Sequence, residues 1–171
     1  CGCPIDPKGG LDRLAEWSNT RKDLGLWVDS GQNLFPFEEL NPDLAADWKA
    51  KADVVAKVYK QLGVRFGLPA SNDFAAGSDY LKNWFEHAGM QAIAANLVAK
   101  DGKTFWSKWQ EWKHAGTAER WAVTGVVGVE SPTAEILKSV DVQDPHAALA
   151  AVTKEIRAAG IENMIVLSSL A

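Results

Sequence analysis

The chain has 171 residues, 47% of them hydrophobic and 23% charged, a globular balance that excludes disordered, collagen-like and coiled-coil readings. Eighteen Lys and Arg stand against 22 Asp and Glu, and a net charge of −4 with no basic run argues against a nucleic-acid partner. No stretch reaches the roughly 18 apolar residues of a membrane span, so any membrane contact has to come from an anchor or a partner.

This length predicts a single domain over 1–171. The only two cysteines are Cys1 and Cys3, too closely spaced for a zinc pair and strained as a disulfide ring. A chain that opens on Cys and a small residue is what cleavage of a bacterial lipoprotein signal leaves, which makes Cys1 a lipidation candidate and 1–8 a short anchored N-terminus. The alternative is that the sequence simply starts at that residue.

After Gly9-Gly10, Leu11, Leu14, Ala15 and Ser18 share a stripe, which predicts a helix from about Gly10 to Lys22. The apolar run Leu24 to Val28 reads as a buried strand, followed by a turn at Asp29-Ser30-Gly31. Asn41-Pro42-Asp43 offers a cap for a helix that carries Leu44, Trp48, Val55, Val58, Tyr59 and Leu62 to Gly63. Val64 to Leu68 is a second strand and Pro69 to Asp73 a loop; Ser78 then caps a helix whose apolar face is Leu81, Trp84, Phe85 and Ala88. His87 reads as a helix-end residue rather than a ligand.

Met90 to Ala95 and Arg120 to Val129 are further apolar segments, the latter broken by Gly125 and Gly128, which suit tight strand packing better than a phosphate cradle. Eight Trp is high for this size, and Trp106, Trp109 and Trp112 either line a helical face or alternate along an irregular strand. They are the candidate partner-contact patch. Asp144-Pro145 caps a last helix to Gly160, and Met164 to Leu167 closes as a strand. Helices alternating with fully apolar strands predict an α/β fold with a mostly parallel sheet covered on both faces.

Ligands in such sheets sit at the carboxyl ends of the strands, here Asp29 to Asn33, Ala70 to Gly77, Ala95-Asn96 and Ser168-Ser169. Gly9-Gly10-Leu11-Asp12-Arg13, Val28-Asp29-Ser30-Gly31-Gln32-Asn33, Ser71-Asn72-Asp73-Phe74, Ala94-Ala95-Asn96-Leu97, Thr124-Gly125-Val126 and Ile165-Val166-Leu167-Ser168 follow in order. In that order and spacing they resemble the metallophosphoesterase (calcineurin-like) domain of the periplasmic 5′-nucleotidase group. The resemblance implies a layered α/β sandwich and hydrolysis of phosphate esters by two metal ions held by Asp, His and Asn.

Residue by residue, the bridging Asp of that group falls on Gln32, whose neutral amide cannot hold two cations together as a carboxylate does. Asn72 matches the group's Asn, Asp73 stands where its His is expected, and Ser169 replaces the His of Leu-Ser-His. The group's first Asp-x-His would precede Cys1, and its Gly-His-x-His would follow Ala171. The expectation is therefore no catalytic or metal residue and no cofactor. His114 and His146 have no acid or nucleophile partner at a strand end.

Two functional readings follow. One is a non-catalytic binding or structural subunit of a larger protein complex on the periplasmic or extracellular side of the cell envelope, held to membrane only through Cys1. The other is a fragment of a metal-dependent phosphohydrolase whose remaining ligands lie outside this chain. A weaker third is a small-ligand crevice at Asp29, Gln32, Asn33, Asn72, Asp73 and Asn96.

Overall fold

Residues 10–20, 25–114, 116–129 and 134–170 are described by a computed structural model. In chain order they form α1 (Leu11–Asn19), β1 (Val28–Asp29), α2 (Ala45–Leu62), β2 (Phe66–Gly67), a 3-10 turn (Ser71–Ala76), α3 (Ser78–Ala88), β3 (Gln91–Ile93) and β4 (Leu97–Ala99). The second half contains β5 (Trp106–Ser107), β6 (Trp109–Lys113), β7 (Arg120–Val127), α4 (Ile136–Ser139), β8 (Val140–Val142), α5 (Pro145–Ala158) and β9 (Asn163–Ser169). The expected end of the first helix near Lys22, and Cys1 with the rest of 1–8, lie outside the described residues.

The α/β reading holds. One sheet has the order β1-β2-β3-β5, all parallel, and another the order β6-β7-β9, with β6 antiparallel and β9 parallel to β7. A short antiparallel ribbon joins β4 to β8. The apolar runs at 64–68 and 90–95 are buried almost throughout, as strands covered on both faces require. Helix α2 lies against α3 through the small residues Ala52 and Ala56, close enough for the Trp84 indole N–H to donate to the Ala52 carbonyl at 2.7 Å.

Several local expectations are corrected. Asn41-Pro42-Asp43 makes its own turn: the Asn41 side chain accepts from the Asp43 N–H at 2.9 Å and its carbonyl from the Leu44 N–H at 3.1 Å. The helix therefore starts at Ala45 and leaves Leu44 exposed. Gly77, at φ 88°, caps α3 in place of Ser78, whose hydroxyl instead meets that of Ser139 at 2.6 Å. The Asp144 cap is observed as expected, with its carboxylate accepting from the Ala147 N–H at 2.7 Å.

The tryptophan segment is a strand, not a helix. It belongs to the first sheet through Trp106, paired with Ala92, and to the second through Trp109, paired with Thr124. At the break the Thr124 hydroxyl donates to the Lys108 carbonyl at 2.7 Å. Trp106 is buried in the chain's own core between Phe74 and Phe105, its indole N–H donating to the Leu97 carbonyl. It therefore leaves the expected partner-contact patch. Trp109 and Trp112 are half-buried on opposite faces, Trp109 against the Val152 and Ile156 cluster and Trp112 against the main core.

The two sheets meet at Gly125. A Cβ there would lie 2.6 Å from Leu68 Cδ1, 3.2 Å from the Ile93 carbonyl and 3.3 Å from Leu167 Cβ, so the glycine serves close packing, as read from the sequence. Gly125→Ala is expected to cost about 1–3 kcal/mol by forced displacement of these neighbours. Urea unfolding of the variant beside Gly128→Ala, where the nearest atoms stand at 3.3 Å or more, measures the difference; equal midpoints would remove the packing argument.

Candidate functional site

Strands β1 and β2 end side by side at Asp29 and Gly67, where the two loops that carry the expected site residues begin. After β1 the backbone turns through Gly31 at φ 84° and Gln32 at φ 63°. Gly31 is required twice over, because a Cβ would also fall 2.5 Å from Ala70 Cβ and 2.6 Å from the Leu68 carbonyl. Gln32 holds a left-handed conformation that costs a non-glycine residue free energy, so something must hold it there.

The holder is Asp73. Its carboxylate is 1% exposed and accepts four backbone N–H groups: Gln32 at 3.0 Å and Ala70 at 3.0 Å on Oδ2, Asn33 at 3.1 Å and Leu34 at 3.2 Å on Oδ1. The bond to Ala70 is the reach-back half of a capping box on the 3-10 turn. The other three close the turn after β1 onto it. Ser71 strengthens the same join by donating to the Glu38 carboxylate.

Burial pushes the Asp73 carboxyl up to about 7, against the backbone N–H groups of Leu34 and Gln32; the nearby Asp29 adds to the rise and the Ala70 N–H opposes it. Burial likewise raises Asp29, opposed by the Gly31 N–H, the Asn33 side-chain amide and the Ser30 N–H. The Asn33 amide donates to Asp29 Oδ1. A carboxylate offers about four lone-pair sites, and all of those on Asp73 face N–H donors.

Of the residues singled out from the sequence, the structure joins Gln32 to Asp73, through the Gln32 backbone rather than its exposed side chain. Asn72 is half-buried beside them. Ser169 lies at the end of β9, paired with Val127, and its buried Oγ has no hydrogen-bond partner among the described residues. Asn96 is fully buried and spent: its amide donates to the carbonyls of Val127 and Gln143, and its side-chain oxygen accepts from the Val127 N–H. It braces the exit of β3 against β7 and is not free for a ligand. His87 bonds the Asn83 carbonyl at 2.8 Å within α3, as its helix-end position suggests.

A two-metal centre needs several hard anionic or imidazole donors converging on one point. Among the described residues no group of three His, Cys, Asp or Glu converges in this way. Asp73 faces N–H donors, Gln32 turns its amide outward, and Ser169 brings a hydroxyl. These residues do not fit the pair of ions.

Solved structures answer the question of fold. The chain matches a 5′-nucleotidase precursor of Thermus thermophilus at 20% identity and a TM-score of 0.71, over 96% of this chain and 32% of that one. The NAD nucleotidase of Haemophilus influenzae matches at 18% identity and 0.72, over 95% and 28%. A calcineurin-like phosphoesterase of Bacillus subtilis matches at 17% and 0.66, over 96% and 55%. This chain has the calcineurin-like phosphoesterase fold. It spans about a third of the first two chains. No family model and no curated protein matches it.

Sequence reasoning placed Asp73 at a ligand position and missed its role as a clasp. The available signal was an acid three residues after Ala70 at a helix start, opposite a Gly31-Gln32 turn able to aim consecutive N–H groups at one anion. Asp73→Ala leaves four N–H groups without their acceptor and is expected to cost at least about 3 kcal/mol in urea unfolding. Gln32→Gly relieves the left-handed strain and is expected to gain about 0.5–1 kcal/mol. A neutral Asp73→Ala would remove the clasp.

Proposed function

We propose that the chain is a non-catalytic domain on a metallophosphoesterase scaffold, a binding or structural part of a larger cell-envelope assembly. The observation that carries this reading is the Asp73 carboxylate, turned into the protein's own backbone where a metal ligand is expected. Support for a protein partner comes from the sheet edges among the described residues. Strand β9 ends the second sheet and exposes Val166 by 39%, with Leu170 just beyond it at 42%. Strand β6, with Trp109 and Trp112, is the other edge. Exposed apolar edges of this kind favour association with another chain. Placement at the envelope rests on the resemblance to the periplasmic 5′-nucleotidase group.

The second reading, a segment of a metal-dependent phosphohydrolase, is favoured by the chain spanning only 32% and 28% of two of the chains it matches. Both are tested on the protein at its full natural length, using bis(p-nitrophenyl) phosphate with Mn²⁺ and metal analysis of the purified protein. The expected outcome is no turnover above buffer and less than one equivalent of bound metal. Turnover abolished by a chelator would overturn the non-catalytic reading in favour of the second.

A further inference from the structure

A second concavity, of about 480 Å³, opens between the start of α3, the 99–106 turn and the α4–β8 junction. Neither Asp29, Gln32 nor Asp73 lines it. Its volume lies in the range of small-molecule sites. Four lysines surround it, Lys82, Lys100, Lys103 and Lys138, in a protein whose net charge is −4.

Their ammonium groups differ in freedom. Lys100 is held by the Leu137 carbonyl at 2.7 Å and Asp141 at 3.6 Å, and Lys138 by Glu135 at 2.5 Å. Lys82 and Lys103 are exposed and have no ion pair among the described residues. Two acids share the wall. Asp101 is occupied by the Lys103 backbone N–H at 2.8 Å, and Asp79 sits in the first turn of α3, where the helix dipole favours a negative charge. The hydroxyls of Ser78 and Ser139 meet each other at 2.6 Å, which leaves one of their two protons for a ligand, while Thr104 donates to the Trp106 carbonyl at 3.1 Å; Phe105 forms an apolar wall.

We propose that this cavity binds a small ligand carrying a phosphate group. A tetrahedral oxyanion offers enough acceptors for the two unpaired ammonium groups and the one free serine proton, and charge-assisted bonds of this kind are the strong ones. Phe105 flanks the position of whatever the phosphate esterifies. The inference stands without the functional reading above, because it uses none of the crevice residues.

The test is an NMR titration of the full chain with inorganic phosphate and, separately, with phenyl phosphate. Saturable shifts are expected at Ser78 to Lys82, Lys100 to Thr104 and Ser139, with the Lys82→Ala/Lys103→Ala variant weakened at least about tenfold. Raising salt from about 50 to 200 mM weakens binding as screening grows. Tighter binding of phenyl phosphate assigns the site to an ester, and equal binding assigns it to the free ion; either supports the oxyanion site. Absence of saturation, shifts confined to Gly31 to Asn33, or unchanged affinity in the double variant would overturn it, and none of these outcomes bears on catalysis.

Discussion

Four backbone N–H groups from two separate stretches of chain meet on one buried carboxylate, and that meeting holds the turn after β1 to the 3-10 turn after β2. Leaving such donors unpaired in the interior is costly. Asp73 therefore keeps Gln32 in a backbone conformation that it would not hold alone. It also directs Leu34 and Phe35, which are 6% and 2% exposed, into the main core. Placement of the two loops and packing of the core are thus one interaction. Oxygens turned toward backbone N–H groups are not turned toward a cation.

The rest of the frame follows from how the two sheets are joined. The strand from Trp106 to Lys113 changes sheets at Lys108, Asn96 clamps Val127 on both its N–H and its carbonyl, and Gly125 lets Leu68 and Leu167 approach. Each of these contacts is internal. Two of the polar groups at the strand ends, Asp73 and Asn96, are committed to holding the protein together. The lysine-lined cavity lies apart from the Asp73 clasp, and none of the clasp residues lines it.

Much of the fold was legible because it rests on local chemistry. The apolar runs at 64–68 and 90–95, the Asp144 cap and the helical spacing from Trp48 to Leu62 each carry their cause within a few residues. The segment from Trp106 to Lys113 reads equally as a helix or an irregular strand: its two adjacent pieces pair with different sheets, and no local period records that. Asn41-Pro42-Asp43 looks like a helix start, yet its side chain closes a turn first. In the crevice, residue positions were legible and roles were not. Asp73 and Gln32 are 41 positions apart, and an acid read by motif alignment does not show whether it faces an ion or an amide.

Diffraction from crystals grown with manganese, collected at the metal's absorption edge, tests the central claim most directly. No anomalous peak is expected within coordinating distance of Asp73, whose two oxygens stay bound by the N–H groups of Gln32, Asn33, Leu34 and Ala70. A manganese ion seated on the Asp73 carboxylate, with those N–H groups turned away, would contradict it.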